Sequence, residues 1–353
     1  MTRSHAGSNG LSVNHIVKHA LVLDDNPPHH DGRRYFNPPA WRPDASLPGR
    51  TPAQRRANLL RWMLGLRWPD ALPPQPVFSL PEPKPEECIA TFIGHATVLL
   101  QFGRAGRAPL RIITDPVFSE RCSPFRSFGP RRVRPPGILL QTLPRIDIVL
   151  VSHCHYGHMD FPSLRALARR DDPLCITLSG NRRHLEKTSL ARIIELDWWD
   201  RTETDSARIT ATPALHGSAR TPFDTNRALW GGFVVETEGQ TVFFAGDTAW
   251  GRHFDAIHRR WPVMDLAILP IGAYAPREIM RRVHMCPEEA LMAFDTLQAS
   301  TGLPIHFGTF QLTDEAILEP PSRLKIAMHG HARTFAPLRN GESITLPPAP
   351  ARS

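Results

Sequence analysis

The sequence predicts an α/β fold in which two β-sheets lie between helices, with a site along one edge. Three observations carry this prediction. Strand-length apolar runs dominate the central part of the chain, as in 146–151 and 266–271, and helical segments alternate with some of them. Polar residues able to do chemistry recur where those runs end: the 152–160 loop, His216, Asp247 and His306. The 36 prolines among 353 residues exceed the usual proportion of about 5% and argue against a bundle of long helices.

Residues 1–50 read as loosely organised, with the turn-rich segment NPPHHDGRRYFNPPAW. His29 and His30, adjacent in that turn, read as solvated. A short amphipathic helix is expected over 52–65, with Leu59, Leu60, Trp62, Met63 and Leu66 as its apolar positions. Residues 69–87 are too rich in proline for regular structure and read as an extended connector. Residues 1–87 are therefore expected to form a Pro-rich extension wrapping the core, and 88–348 the main domain. The main domain opens with CIATFIGHATVLLQF, two strands joined at Gly94-His95. LRIITDPVF gives a strand ending in Asp115-Pro116, and IDIVLVSH a strand buried on both faces. A helix at 162–170, the strand CITLSG and a helix at 181–189 follow. RITATPALH, WGGFVVET and QTVFFAGD are three strands separated by turn signals. Next come a helix at 251–260, the strand LAILPIG and a helix at 287–300 that opens with Pro287 and Glu288-Glu289. GLPIHFGTF and GESITLP supply the last strands.

Composition narrows the function. Hydrophobic residues at 41% against charged residues at 22% describe an ordered globular chain. No apolar run reaches the ~20 residues of a membrane span. The N-terminal segment lacks a secretory signal's apolar region. Five cysteines, odd in number and without a CxxC pair, fit a reducing compartment, so a cytoplasmic location is expected, extending to the inner face of a membrane. The net charge of +8 is mostly arginine. One cluster, RCSPFRSFGPRRVR at 121–134, offers Arg126, Arg131 and Arg132 to an anionic partner such as phosphate or a lipid head group. Pro124, Phe125 and Phe128 add apolar contact there. No nucleic-acid module is visible, so nucleic acid is not an expected partner.

The strongest chemical signal is SHCHYGHMD at 152–160, three imidazoles in six residues directly after a buried strand. Imidazole is the usual neutral ligand for zinc and similar metals. His216, Asp247 and His306 occupy the same position in other strands, and a carboxylate such as Asp247 can bridge two metals roughly 3.5–4 Å apart. Mostly histidine with one aspartate suits zinc, with iron or manganese as alternatives.

These motifs resemble the metallo-β-lactamase fold superfamily. More narrowly they resemble the branch of N-acyl-phosphatidylethanolamine-hydrolysing phospholipase D and its bacterial relatives. The narrower resemblance rests on YFNPP, FIGHATVLLQ, TDPVFSERCSPFRSFGPRRVRPPGI, SHCHYGHMD, ELDWWD, LWGGFVVE, AGDTAW, HMCPEEA and HFGTF. It implies an αββα sandwich with a dinuclear site, usually zinc. His153, His155 and His216 would hold one metal, His158 and His306 the other, and Asp247 would bridge them. A hydroxide held by the metals would attack phosphorus or a carbonyl. His284 would serve as a polarising or proton-relay group beside Asp247 at the reacting centre. His95, Asp115 and Asp160 would orient ligands by hydrogen bonds.

The family motif is HxHxDH, and this chain carries Gly157 in place of its aspartate. Glycine offers no donor, so the second site is expected to keep only His158, His306 and Asp247, to bind metal less tightly and to weaken hydrolysis. Gly217 and Cys286 replace the tryptophan and asparagine common in the family. The expected activity is hydrolysis of a phosphodiester, such as an N-acyl-phosphatidylethanolamine or another small or lipid anion, with peripheral membrane contact. The alternatives are hydrolysis of a lactone or amide, or a non-catalytic metal-binding scaffold.

Overall fold

The computed structural model describes residues 11, 13–18, 26–42, 53, 68–69, 71–72 and 78–346. The helix expected at 52–65 and much of the connector lie outside these residues. One sheet has seven strands in the order β15-β2-β3-β4-β5-β6-β7, and the other has eight in the order β1-β8-β9-β10-β11-β12-β13-β14. In the first sheet, β2 (Cys88–Gly94), β3 (Thr97–Arg104) and β4 (Arg107–Thr114) form an antiparallel meander. β5 (Ile148–Val151), β6 (Leu174–Leu178) and β7 (Arg192–Leu196) continue it in parallel, and β15 (Ser343–Leu346) pairs antiparallel with β2. In the second, β8 (Arg201–Thr204), β9 (Arg208–Thr212), β10 (Gly232–Glu236) and β11 (Thr241–Phe244) run antiparallel. β12 (Leu266–Pro270), β13 (Thr301–Ile305) and β14 (Thr334–Phe335) follow in parallel.

Side-chain alternation along the strands builds the layers. Phe92, Val98, Leu100, Ile112, Ile148 and Leu150 point into a core shared with Ile209, Phe233, Phe243 and Leu266 of the opposite sheet. Their neighbours Ile93, Leu99, Ile113, Val149 and Val151 face the other way and pack on Leu164 and Leu167 of α1 (Phe161–Asp171). A strand such as β5 is thus buried on both faces, which its unbroken apolar sequence requires. Among the described residues the remaining α-helices with a full range are α2 (Arg182–Leu185), α3 (His253–Arg260), α4 (Arg277–Met280), α5 (Pro287–Leu297) and α6 (Glu319–Ala327). Pro287 sits in the first turn of α5, with a capping box between Cys286 and Glu289. The fold is the αββα sandwich of two mixed sheets.

Several local expectations change. The N-terminal region supplies a strand, β1 (Val13–Val17), paired antiparallel with β8, where loose organisation was expected. His29 is buried, not solvated: its ring stacks on Trp198 at 4.2 Å and its Nε2 lies 2.8 Å from Asp197. The helix expected at 181–189 is α2 followed by a 3₁₀ turn at Glu186–Thr188. β7, β8, β14, α4 and α6 had no counterpart in the sequence reading.

Candidate metal centre

Asp115, the 152–158 loop, Asp247 and His306 follow the C-terminal ends of β4, β5, β11 and β13, and His216 follows β9. Ligands in sheets of this kind gather outside those strand ends. The 152–158 loop turns tightly: the His158 and Met159 amides donate to the His155 carbonyl at 3.0 and 2.9 Å. Arg220 clamps it by donating to the Cys154 and Met159 carbonyls.

Two groups of donor atoms result. In the first, His155 Nδ1 lies 2.8 Å from His153 Nε2 and 3.1 Å from His216 Nε2. Nitrogens bound tetrahedrally about 2.0–2.1 Å from one zinc lie roughly 3.3 Å apart, so this spacing fits one ion. In the second, donor atoms of His95, His158 and His306 all lie within 4.8 Å of one another. Asp247 stands between the groups. Its Oδ2 is 3.0 Å from His158 Nε2, 3.2 Å from His306 Nε2, 3.7 Å from His216 Nε2 and 4.0 Å from His153 Nε2. Its Oδ1 is buried without a hydrogen-bond partner. A buried carboxylate amid four imidazoles, with one oxygen unused, fits a position between two cations.

Asp115 sets the ring orientations. Its Oδ2 accepts from His158 Nδ1 at 2.6 Å and from Ser152 Oγ at 2.6 Å, and its Oδ1 accepts from the Ser152 amide at 2.7 Å. Ser152 Oγ has a single hydrogen, used on Asp115, so at 2.9 Å it accepts from His153 Nδ1. One carboxylate therefore places a proton on Nδ1 of both rings and points both Nε2 atoms toward Asp247. His216 Nδ1 similarly faces the Val283 carbonyl at 2.9 Å, which frees its Nε2.

Burial pushes His153, His155, His284 and His95 well below the ordinary imidazole range, and His216 down to about 4. These rings are neutral at physiological pH, as ligands must be. His158 differs. Burial opposes its charge, but Asp247 and Asp115 outweigh burial and raise it to about 10. Burial also acts against Asp247's charge, but His158 and His306 overcome it and hold the carboxyl well below its usual range. The pocket around Asp247 favours positive charge.

The other expected site residues are distributed as follows. His284 is buried, its ring 5.0 Å from that of His216 and 5.3 Å from that of His306, with Nδ1 unpartnered. His95 does not orient a ligand by a ring hydrogen bond: both its ring nitrogens are buried without such a partner. Asp160 also bonds to no ligand. It accepts from Ser119 Oγ at 2.8 Å, from the Ser119 amide and from Ser163 Oγ, so it anchors the 119 loop to α1. Arg126 is exposed, whereas Arg131 is paired with Glu120 at 2.7 Å. Arg132 turns inward, donating to the Ser119 and Val117 carbonyls and lying over Phe310, which departs from the expected surface role.

Sequence reasoning missed Ser152, Arg220 and Asn37. Asn37 grips the His216 backbone from both sides, donating to its carbonyl at 2.8 Å and accepting from its amide at 3.2 Å. The only signal for it was its place in the YFNPP phrase. Arg220 also packs 4.1 Å from the ring centres of Tyr156 and Phe161. These three residues line a groove of about 750 Å³ together with Arg126, Arg165 and Lys187.

Comparison with known proteins gives a consistent picture. Residues 110–307 match the family model of the beta-lactamase superfamily domain. The chain is 34% identical over 252 residues to N-acyl-phosphatidylethanolamine-hydrolyzing phospholipase D 1 of Caenorhabditis elegans, covering 68% of this chain and 69% of that protein. It is 35% identical over 224 residues to the mitochondrial N-acyl-phosphatidylethanolamine-hydrolyzing phospholipase D of Saccharomyces cerevisiae, covering 62% of this chain and 48% of that protein. Among solved structures it resembles Igni18, a metallo hydrolase of Ignicoccus hospitalis, with a TM-score of 0.53 and 20% identity over 74% of this chain and 99% of the other.

Proposed function

The chain belongs to the β-lactamase superfamily, in the branch that resembles the N-acyl-phosphatidylethanolamine-hydrolysing phospholipases D, and from that membership we propose that it is a phosphodiesterase of phospholipase D type. At the coarser level it is a metal-dependent hydrolase of that superfamily. The observation that carries the metal-dependent reading is Asp247 Oδ2, 3.0–4.0 Å from four imidazole nitrogens of two donor groups, and the likeness to the phospholipases D supports the phosphodiester. We assign His153, His155 and His216 to one ion, His158 and His306 to a second, and Asp247 to both, with zinc as the metal. Such ions supply Lewis-acid polarisation and lower the pKa of water toward neutrality.

The chain's own residues do the rest. Asp115, through His158 and Ser152, fixes two rings before substrate arrives. His284 offers an unpartnered Nδ1 beside Asp247, suited to hold a proton or polarise the substrate. The basic groove of Arg126, Arg165, Lys187 and Arg220, lined also by Tyr156 next to His155, suits an anionic head group. Exposed Phe125 in its lining, and exposed Phe128 three residues on in sequence, suit an acyl chain or the surface of a bilayer. No helix among the described residues is long and apolar enough to cross a membrane, and the membrane contact we propose is peripheral. The proposed setting is the cytoplasmic face.

The test is hydrolysis of N-acyl-phosphatidylethanolamine in vesicles, run beside a panel of lactones and amides. The expected result is phosphatidic acid release that a chelator abolishes and zinc restores. Turnover confined to lactones or amides would replace the phosphodiesterase reading. Tight ligand binding without any turnover would make the chain a non-catalytic scaffold.

A further inference from the structure

We propose that His95 supplies the second metal ion with the ligand missing at Gly157, so that its protein donors are His95, His158, His306 and the shared Asp247. This inference rests on the two-metal reading above and replaces the weakened three-ligand site expected from the sequence.

Three observations lead to it. First, a Cβ placed on Gly157 would lie 2.9 Å from His95 Nε2 and 3.5 Å from His95 Cδ2. The imidazole stands where a side chain at 157 would project, so with the ring in this position a Cβ there would be crowded and one of the two would have to shift. Second, a ring nitrogen of His95 clusters with donor atoms of His158 and His306 within 4.8 Å. Third, both ring nitrogens of His95 are buried without a hydrogen-bond partner. An imidazole in that condition forfeits its hydrogen bonds to water with no return, and a metal–nitrogen bond is the return this pocket offers.

The backbone holds the ring in place. His95 lies in the turn between β2 and β3 at φ +58°, and His306 after β13 at φ +65°. The His306 amide donates to the His95 carbonyl at 2.7 Å, and the His95 amide donates to Thr309 Oγ1 at 3.0 Å. The two turns are locked to each other, which sets the rings 4.2 Å apart at their centres. Phe310 meets the His95 ring edge-on and limits its swing. Cys122 Sγ also borders the vacated space, 3.3 Å from the same Cβ position, but it belongs to none of the donor clusters among the described residues.

A neutral imidazole in place of a carboxylate changes the charge as well as the shape. The second ion would have three imidazoles and one shared carboxylate around it, one negative charge fewer than the family motif provides. Affinity is then expected to stay high through donor number while the ion keeps more of its own positive charge toward an anionic substrate.

The test is metal content by mass spectrometry after zinc loading and dialysis. The variants are His95→Gln, Gly157→Asp, the double variant and Cys122→Ser. Cobalt-loaded absorption spectra give a second readout, independent of turnover. The expected result is two ions in the parent and in Cys122→Ser, and one in His95→Gln. Two are expected again in the double variant, where the aspartate takes over the space the ring has left, and this recovery excludes misfolding as the cause of the loss. The cobalt spectrum of the second equivalent should change in His95→Gln and not in Cys122→Ser. Two ions in His95→Gln with an unchanged spectrum would overturn the assignment of His95 and leave the two-metal reading standing. One ion in both parent and His95→Gln would overturn the inference and leave a single-metal hydrolase. No ion in the parent would remove the proposed function together with it.

Discussion

Asp115 and His158 share a 2.6 Å hydrogen bond in a site where both side chains are almost wholly buried. The same carboxylate holds Ser152, which in turn accepts from His153. One residue thus orients a donor in each of the two groups. Asp115→Asn keeps the volume but offers a single accepting oxygen in place of two. Metal affinity should fall about 10–100-fold, the usual effect of losing a ligand's outer partner. Chelator competition would measure this, and unchanged affinity for both ions would refute the orienting role.

Asp160 should behave differently, because it touches no donor. Asp160→Ala strands the hydroxyls and amide it collects from Ser119 and Ser163. The expected loss is about 1–3 kcal/mol of stability per group left unpaired, with metal content unchanged. Thermal unfolding beside metal analysis separates the two outcomes. Loss of an ion would return Asp160 to the centre.

The arginines of 121–134 should divide in the same way. Arg132→Ala leaves two backbone carbonyls without their donors and should lower the melting temperature. Arg126→Glu alters an exposed side chain, so stability should stay within about 0.5 kcal/mol. With an anionic substrate its KM should rise several-fold while kcat holds, and the effect should shrink with added salt. An unchanged KM would place the head group elsewhere.

Acid should destabilise the protein through His253. Burial pushes its pKa down to about 3, and its Nε2 meets Thr248 Oγ1 at 3.1 Å. An unfolded histidine titrates near ~6.5, so on acidification the unfolded chain takes up the proton first. Stability is lost as pH falls from about 6.5 toward 3, at up to about 1.4 kcal/mol per pH unit. His253→Gln should remove that share of the slope and leave behaviour above neutrality unaltered. Urea unfolding at a neutral and a mildly acid pH would show it, and parallel slopes for parent and variant would exclude His253 as the source.

Metal loading should raise the melting temperature in two increments, one for each donor group, since ions that bind only the folded chain add RT ln(1 + [L]/Kd) to its stability. Scanning calorimetry during a zinc titration is the measurement. A single increment complete at one equivalent would contradict a two-ion centre.

Much of the site was legible because its chemistry is concentrated where strands end. SHCHYGHMD follows an unbroken apolar run, and His216, Asp247 and His306 repeat that placement. The buried parallel strands were legible for the same reason, their sequences being apolar without interruption. β7 and β8 were not, since RIIEL and RTET mix partly and fully buried positions and carry charges among them. β14 has two residues and no pattern to read. The relation of His95 to Gly157 was hidden for a deeper reason. An absent side chain shows only what is lost, and the ring that fills the space arrives from another turn through backbone bonds that sequence does not display.

The strand order has a consequence for how the chain assembles. β1 completes the sheet otherwise built from β8 to β14, while β15 completes the sheet built from β2 to β7. Each half is closed by a strand from the opposite end, like two hands clasped at the wrists. Neither half can finish its hydrogen-bonded ladder until the other has been synthesised and has docked. Such closures are long-range and entropically slow, so assembly should end in a late, concerted step, and a split between the two halves should yield fragments that fold only in each other's company.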